Sequence, residues 1–276
     1  MALGEREFDY IRALVHERAA IVLEPGKSYL VESRLMPLAR AEGLATVAEL
    51  IARLKSARSG RLHRLVVEAM TTNETSFFRD VRPFEALRQV VLPELIARRA
   101  GERRLCLWCA AASSGQEPYS VAMLLREHFP RLAEEGWTLR LLASDISEEM
   151  VERAREGRYR QLEVNRGLPA ALLVKYFDKV GVEWCLHEDI RRMVEFFPLN
   201  LAEAWPPLPP MDVILVRNVL IYFDAETKQA VLRRMRRLLR PDGYLFLGGA
   251  ETTLHVDDAF ERVVACGAAC YRVRTP

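Results

Sequence analysis

The stretch from Leu105 to Ser120, LCLWCAAASSGQEPYS, limits the possible folds more than any other part of the chain. Apolar residues run from Leu105 to Ala112, small ones follow at Ser113, Ser114 and Gly115, and Pro118 opens an apolar helical pattern through Val121, Leu124 and Leu125. The order is strand, tight turn, helix. Proline suits a first helical turn, where its missing N–H has no intrahelical partner, and Gly115 permits a backbone conformation or close approach that a Cβ obstructs. Such a turn lies beyond the carboxyl end of a strand, where open α/β sheets bind ligands. Further on, a strand-like run from Trp137 to Ser144 ends in Asp145, at roughly the spacing of a nucleoside-binding unit. A carboxylate there can accept both hydrogen bonds of a ribose diol, and the run from Asp145 to Glu149 can equally cap the next helix.

Before this stretch the pattern is helical. Apolar stripes at Phe8, Ile11, Leu14 and Val15, at Tyr29, Leu30, Leu35 and Leu38, at Val47, Leu50, Ile51 and Leu54, and at Leu62, Leu65, Val66 and Met70 carry helix spacing. Breaks at Pro25-Gly26, at Gly43 and around Gly60 divide them into about four short helices. Residues 1–70 therefore form a small all-α domain. Its segment from Arg53 to Arg64 holds Arg53, Lys55, Arg58, Arg61 and Arg64 and no acidic residue. It reads as a solvated helix face or as a docking patch for an acidic partner. Residues 71–100 give a polar linker with Phe77 and Phe78, then a helix from Pro83 to Arg99.

From residue 101 to 276 strands alternate with helices, at Leu105 to Cys109, Leu139 to Ser144, Val194 to Phe197, Asp212 to Val216 and Tyr244 to Leu247. The class is α/β, a parallel sheet with helices on both faces. Residues 161–192 are too long for an ordinary connection and predict a small inserted subdomain, a helix from Pro169 to Tyr176 followed by short strands around Gly181. Cys266 to Ala268 mark a terminal hairpin, with strands from Ala259 to Ala265 and from Ala269 to Arg272. Two such strands on an otherwise parallel sheet fit a methyltransferase better than a dehydrogenase.

Composition removes several classes. Half the residues are hydrophobic, enough for a full core, yet no apolar run approaches the roughly 20 residues of a membrane span, and Glu5, Arg6, Glu7 and Asp9 stand where a signal peptide is apolar. A cytoplasmic protein is expected. The net charge of +2 gives no global field for nucleic acid. The five cysteines are dispersed in apolar segments and read as reduced thiols. Cys106 and Cys109, three apart in a strand, point to opposite faces, so no metal site is expected.

Four blocks then converge. TTNETSFFR from Thr71 to Arg79, AAASSGQEPYS from Ala110 to Ser120, ASDIS from Ala143 to Ser147 and VRNVLIYFD from Val216 to Asp224 closely resemble the CheR-type chemotaxis receptor methyltransferases. The resemblance spans nearly the whole chain. It implies a Rossmann-like domain for S-adenosylmethionine (SAM), with a terminal antiparallel hairpin, an inserted β-subdomain and an all-α N-terminal domain. No receiver or repeat domain is expected beside these. The implied activity is transfer of a methyl group from SAM to glutamate carboxylates on the cytoplasmic helical bundle of a chemotaxis receptor, leaving S-adenosylhomocysteine (SAH). By the same resemblance, Asn73, Thr75 and Arg79 reach the cofactor site, Glu117 holds the methionine ammonium, Asp145 takes the ribose, and Asn200 and Leu201 contact adenine. Arg217 and Asn218 lie beside the cofactor, Arg79 and Tyr222 approach the methyl group, and the basic face meets the receptor. Plain structural roles stand beside these: Glu117 as a carboxylate facing a helix dipole, Arg79 as a partner of Asp80 or Glu74, Tyr222 as a core aromatic. Competing readings are an inactive SAM-binding scaffold and a methyltransferase of another substrate.

Overall fold

The computed structural model describes residues 3–56, 60–134 and 136–274. The chain divides into two compact bodies, the first comprising Met1–Thr72, Asn200–Ala204 and Tyr222–Lys228, the second the remainder. In the first, the helical stripes become α1 (Glu5–Ala19), α2 (Ser28–Ala41), α3 (Val47–Ser56) and α4 (Arg61–Met70). Ile11, Val15, Val31, Leu35, Leu50, Leu54, Val66 and Met70 form one core between them. Arg34, half-buried, donates from Nη1 to the Met70 carbonyl at 2.5 Å and from Nη2 to Thr72 Oγ1 at 2.8 Å, which fixes the end of α4. The two later segments join this body through local bonds. Val22 N–H donates to the Tyr222 carbonyl, Ile21 bridges Phe223, and His16 Nε2 lies 2.8 Å from Asp224 Oδ2.

The second body opens with a helical stretch of three parts: α5 (Arg82–Ala86), a π-helical turn (Leu87–Val91) and α6 (Leu92–Arg98). The expected single helix from Pro83 to Arg99 is thus widened in the middle. Pro93 has no N–H to return to the previous turn, and the ladder opens just ahead of it. Then follow β1 (Arg104–Ala110), α7 (Gln116–His128), α8 (Arg131–Glu134), β2 (Thr138–Asp145) and α9 (Glu148–Glu156). The inserted subdomain contains β3 (Arg158–Arg160), α10 (Gln161–Val164), α11 (Ala170–Tyr176), β4 (Phe177–Val180), β5 (Glu183–Leu186) and α12 (Glu188–Arg191). Last come β6 (Val194–Pro198), β7 (Met211–Val216), α13 (Ala225–Leu238), β8 (Leu239–Leu247), β9 (Phe260–Ala265) and β10 (Ala268–Val273).

Seven strands form one sheet in the order β6-β2-β1-β7-β8-β10-β9, parallel except for the terminal hairpin. β8 starts five residues before the expected Tyr244. Leu239 pairs with Met211, the register shifts, and pairing resumes at Val213 with Tyr244. The irregularity carries an ion pair network. Arg99 donates to Asp242 from both Nη atoms, at 2.5 and 2.9 Å, and from Nε to Asp212 Oδ1 at 2.8 Å, while Asp212 Oδ2 accepts the Cys106 N–H. These bonds tie the end of α6 to β1, β7 and β8. They also hold the Asp242 carboxyl down at about 2.

The subdomain is a three-stranded antiparallel sheet, β3-β5-β4. Phe77 of the linker packs edge-on to Tyr159 and Phe177, 5.0 and 5.8 Å between ring centres. Gly167 makes that packing possible: its φ is +84°, and a Cβ there would lie 2.0 Å from the Phe77 carbonyl oxygen.

Two outcomes follow from this packing. Gly167→Ala combines a left-handed backbone with a backbone clash, so its melting temperature falls at least twice as far as that of Gly181→Ala, where φ is +64° and nothing lies within 4 Å of an added Cβ. Equal melting shifts would show that the Phe77 contact is not constraining. Asp242→Asn loses about 2 kcal/mol at neutral pH. The depressed carboxyl contributes stability above the ordinary aspartate range and loses it as pH falls toward 2, so denaturant curves of the variant and the parent converge there.

Candidate functional site

The turn after β1 is bent by left-handed residues at Ala111, Ser113 and Gly115, with φ of 58°, 49° and 93°. Only the last is glycine, and there a Cβ would meet Ala154 and the Tyr119 ring at 3.0 Å. The other two are held by bonds from outside the turn. Ala112 N–H donates to the Ser144 carbonyl, and Ser113 N–H donates to Asp145 Oδ2 at 2.8 Å. The second oxygen, Oδ1, accepts Ser147 N–H at 3.0 Å. Asp145 is 6% exposed, and burial pushes its carboxyl up against the opposing pull of these N–H donors. It thus organises the turn through three backbone N–H groups, those of Ser113, Ile146 and Ser147. The capping of α9 falls to Ser147, whose side chain accepts from Met150 N–H.

The linker is fastened over the same turn. Ser113 Oγ donates to the Asn73 carbonyl at 2.9 Å, Phe78 N–H donates to Ser120 Oγ at 2.9 Å, and Ser120 in turn donates to Gln116. Asn73 is exposed and Thr75 half-buried. The next residues are strained: Phe78, Asp80 and Val81 have φ of 46°, 69° and 46°.

Arg217, at the end of β7, explains how the strain is held. Its side chain is 1% exposed. Nη1 donates to Glu117 Oε2 at 2.6 Å, and Nη2 donates to Asp80 Oδ2 at 2.6 Å and to the Arg79 carbonyl at 2.9 Å. Two carboxylates and a carbonyl therefore surround one buried guanidinium, and its Nε is buried with no partner among the described residues. Glu117, in the first turn of α7, is an ion-pair partner first; no hydrogen bond reaches its Oε1 among the described residues. Arg79 does not pair with Asp80. Its guanidinium donates to the Glu74 carbonyl at 3.1 Å, and the Glu74 carboxylate bonds Arg166. The next residue, Asn218, has φ of 60°, and its N–H donates to Glu251 Oε2, which also accepts Gly248 N–H. Asp80 and Glu251 were not singled out by sequence motif. The first appeared in the sequence analysis only as a possible partner of Arg79, and no sequence signal pointed to the second.

Asn200, Leu201 and Tyr222 are grouped with the first body. Asn200 donates to the Arg18 carbonyl at 2.6 Å and accepts Ala202 N–H, Leu201 is buried, and Tyr222 is half-buried. In the same body the basic face meets an acid that its own segment lacks. Glu42 lies 2.5 Å from Arg61 and 3.7 Å from Arg53, Arg64 lies 3.7 Å from Glu68, and Lys55 sits over the Tyr10 ring. Arg53, Arg61 and Arg64 stay more than half exposed. Arg58 lies outside the described residues. No helix among the described residues is long and apolar enough to cross a membrane.

Comparisons agree on one family. The family model for the CheR methyltransferase SAM binding domain matches residues 73–267, and that for the CheR methyltransferase all-alpha domain matches residues 6–71. Chemotaxis protein methyltransferase 1 of Pseudomonas aeruginosa is 41% identical over 99% of this chain and 100% of its own length. Chemotaxis protein methyltransferase Cher2 of Pseudomonas putida is 39% identical over 99% and 100%. The chemotaxis protein methyltransferase of Escherichia coli is 37% identical over 94% and 89%.

The geometry gives an asymmetric outcome for the buried cluster. Arg217→Met leaves Glu117 buried without its partner and costs roughly 3 to 5 kcal/mol in denaturant unfolding. Asp80→Asn keeps a hydrogen-bond acceptor at the exposed end of the cluster and costs about 1 kcal/mol or less. Equal losses would mean that Arg217 is not the centre of the cluster.

Proposed function

This chain belongs to the CheR methyltransferase family, and from that premise we propose how its residues carry out the family's reaction. It is a SAM-dependent methyltransferase of chemotaxis receptors, forming methyl esters on glutamate side chains. SAM supplies an electrophilic methyl carbon. A glutamate carboxylate, with an ordinary pKa of about 4.3, is already ionised at neutral pH, so the protein needs no general base. Its task is alignment and exclusion of water.

The observation that carries the assignment of residues is the pair of acids at the turn after β1, each with unused acceptor capacity. Asp145 accepts three backbone N–H groups, which leaves about one of its four or so acceptor positions for a ribose hydroxyl. Glu117 Oε1 suits the ammonium of the methionine moiety, and the orphaned Nε of Arg217 suits its carboxylate. Asn73, Thr75 and Asn218 border this site, and Asn200 and Leu201 serve the adenine. Arg79 steers the receptor carboxylate and Tyr222 positions it by its hydroxyl. Neither should hold it bidentately, since tight ground-state binding adds nothing to the transfer step. Residues 1–70 act as the receptor-docking domain, residues 71–100 as the linker, and residues 101–276 as the catalytic domain with its insert at 161–192. The basic face, Arg53, Lys55, Arg61 and Arg64 together with Arg58, which lies outside the described residues, meets the acidic surface of the receptor's cytoplasmic helical bundle, so the enzyme works in the cytoplasm.

The test is incubation with labelled SAM and receptor-containing membranes, scoring base-labile label on the receptor. Asp145→Ala weakens SAH binding by about 1.5 to 3 kcal/mol in calorimetry. Arg79→Ala and Tyr222→Phe melt as the parent does but lower single-turnover transfer at saturating SAM and receptor by on the order of a hundredfold. Arg61→Glu slows methylation and flattens its salt dependence. Parental rates in the Arg79 and Tyr222 variants would remove both from the transfer step.

A further inference from the structure

A second cavity, of about 400 Å³, lies in the second body at the carboxyl ends of β7 and β8, walled by α5 and the β9–β10 turn. It touches the buried cluster at Asp80 and Arg217. Its charged groups fall into two sets. The acids are committed: Asp80 to Arg217, and Glu251 to the N–H groups of Asn218, Gly248 and Ile221. The two remaining arginines are not. Arg82 lies over the Gly267 turn, Arg262 stands opposite Tyr271 on the hairpin, both are exposed, and neither guanidinium has a hydrogen bond or ion pair among the described residues. The two charged groups of the cavity with no partner at all among the described residues are therefore cationic, while Asp80 keeps an unbonded Oδ1 beside them. A forked guanidinium matches a carboxylate, and two of them on one cavity define an anion site.

We propose that this cavity binds a second carboxylate side chain of the receptor, one that is not methylated, while the target glutamate is presented near Arg79. The inference rests on the receptor methylation proposed above. Its spatial basis is within one body: Asp80, on the cavity wall, is the neighbour of Arg79 in sequence, and Arg217 binds the Arg79 carbonyl as well as lining the cavity. A receptor segment with a second carboxylate near the target glutamate then meets one site for the reacting group and another for its neighbour, which sets register along the segment. The overall charge of +2 makes this a local recognition rather than a field effect.

The test compares the parent, the double variant Arg82→Glu/Arg262→Glu and the double variant Arg82→Lys/Arg262→Lys. Initial rates are measured against receptor concentration in membranes at saturating SAM and constant ionic strength. SAH affinity is taken by calorimetry and each variant is melted. The reversal raises the receptor KM by about tenfold or more, the loss of one charge-assisted hydrogen bond, and leaves kcat and SAH affinity at parental values. The lysine pair keeps the charge and recovers most of that KM. Succinate at the same ionic strength raises the receptor KM of the parent by competing for the two guanidiniums and leaves the reversal unaffected. An unchanged receptor KM in the reversal, with parental melting, overturns the proposal. Absence of base-labile label with the parent would instead overturn the receptor methylation on which the inference rests.

Discussion

The structure around the turn depends on one buried positive charge. A guanidinium with 1% of its side chain exposed is tolerable only when acceptors surround it, and Arg217 has Glu117, Asp80 and the Arg79 carbonyl. Satisfying it therefore draws three separate pieces of chain to one point: the end of β7, the first turn of α7 and the strained linker. Left-handed φ at Phe78, Asp80 and Val81 costs energy that loop residues do not bear without a reason. The reason is electrostatic, since releasing the linker would strip two of the acceptors from a charge that cannot reach water.

Asp145 plays the complementary part with the opposite sign. Its carboxylate, buried and pushed toward protonation, is supported by N–H groups from two loops, so the turn and the carboxylate define each other. Together the two charges fix the turn after β1, the first turn of α7 and the linker against one another without a ligand. That suits a displacement in which a sulfonium and a carboxylate are neutralised together, because the reaction gains little from new charge stabilisation and much from fixed geometry.

Much of this was legible in the sequence, and the rest was not for definable reasons. Leu105 to Leu125 declares strand, turn and helix through local periodicity and punctuation, and Gly267 declares the hairpin, because both signals are local in the sequence. The π-helical turn follows from Pro93, a visible residue whose effect on the preceding turn no periodicity records. The Arg217 cluster joins residues 100 and 137 positions apart, and the bridge of Ile21 to Phe223 is longer still. Side-chain pairings of that kind obey no spacing rule. Family resemblance named Glu117, Asp145 and Arg217 as neighbours of a cofactor, yet it did not show that Arg217 and Glu117 bind one another, nor that Asp80 completes the cluster. Likewise Glu42, outside the Arg53 to Arg64 segment, tempers a basic face that looked unopposed.

The Phe77 carbonyl against Gly167 gives the inserted subdomain two unequal halves. The tip between β4 and β5, with Val180 and Val182 exposed and open space around Gly181, is free to vary in sequence and length, so hairpins from related proteins could be exchanged there without disturbing the rest. The loop carrying Gly167 has no such freedom, because its backbone is in van der Waals register with the residue two places before Arg79. An insertion there would act on the linker as a wedge. Diversity among chimeras should therefore concentrate at the tip, with the base of the insert behaving as an extension of the linker.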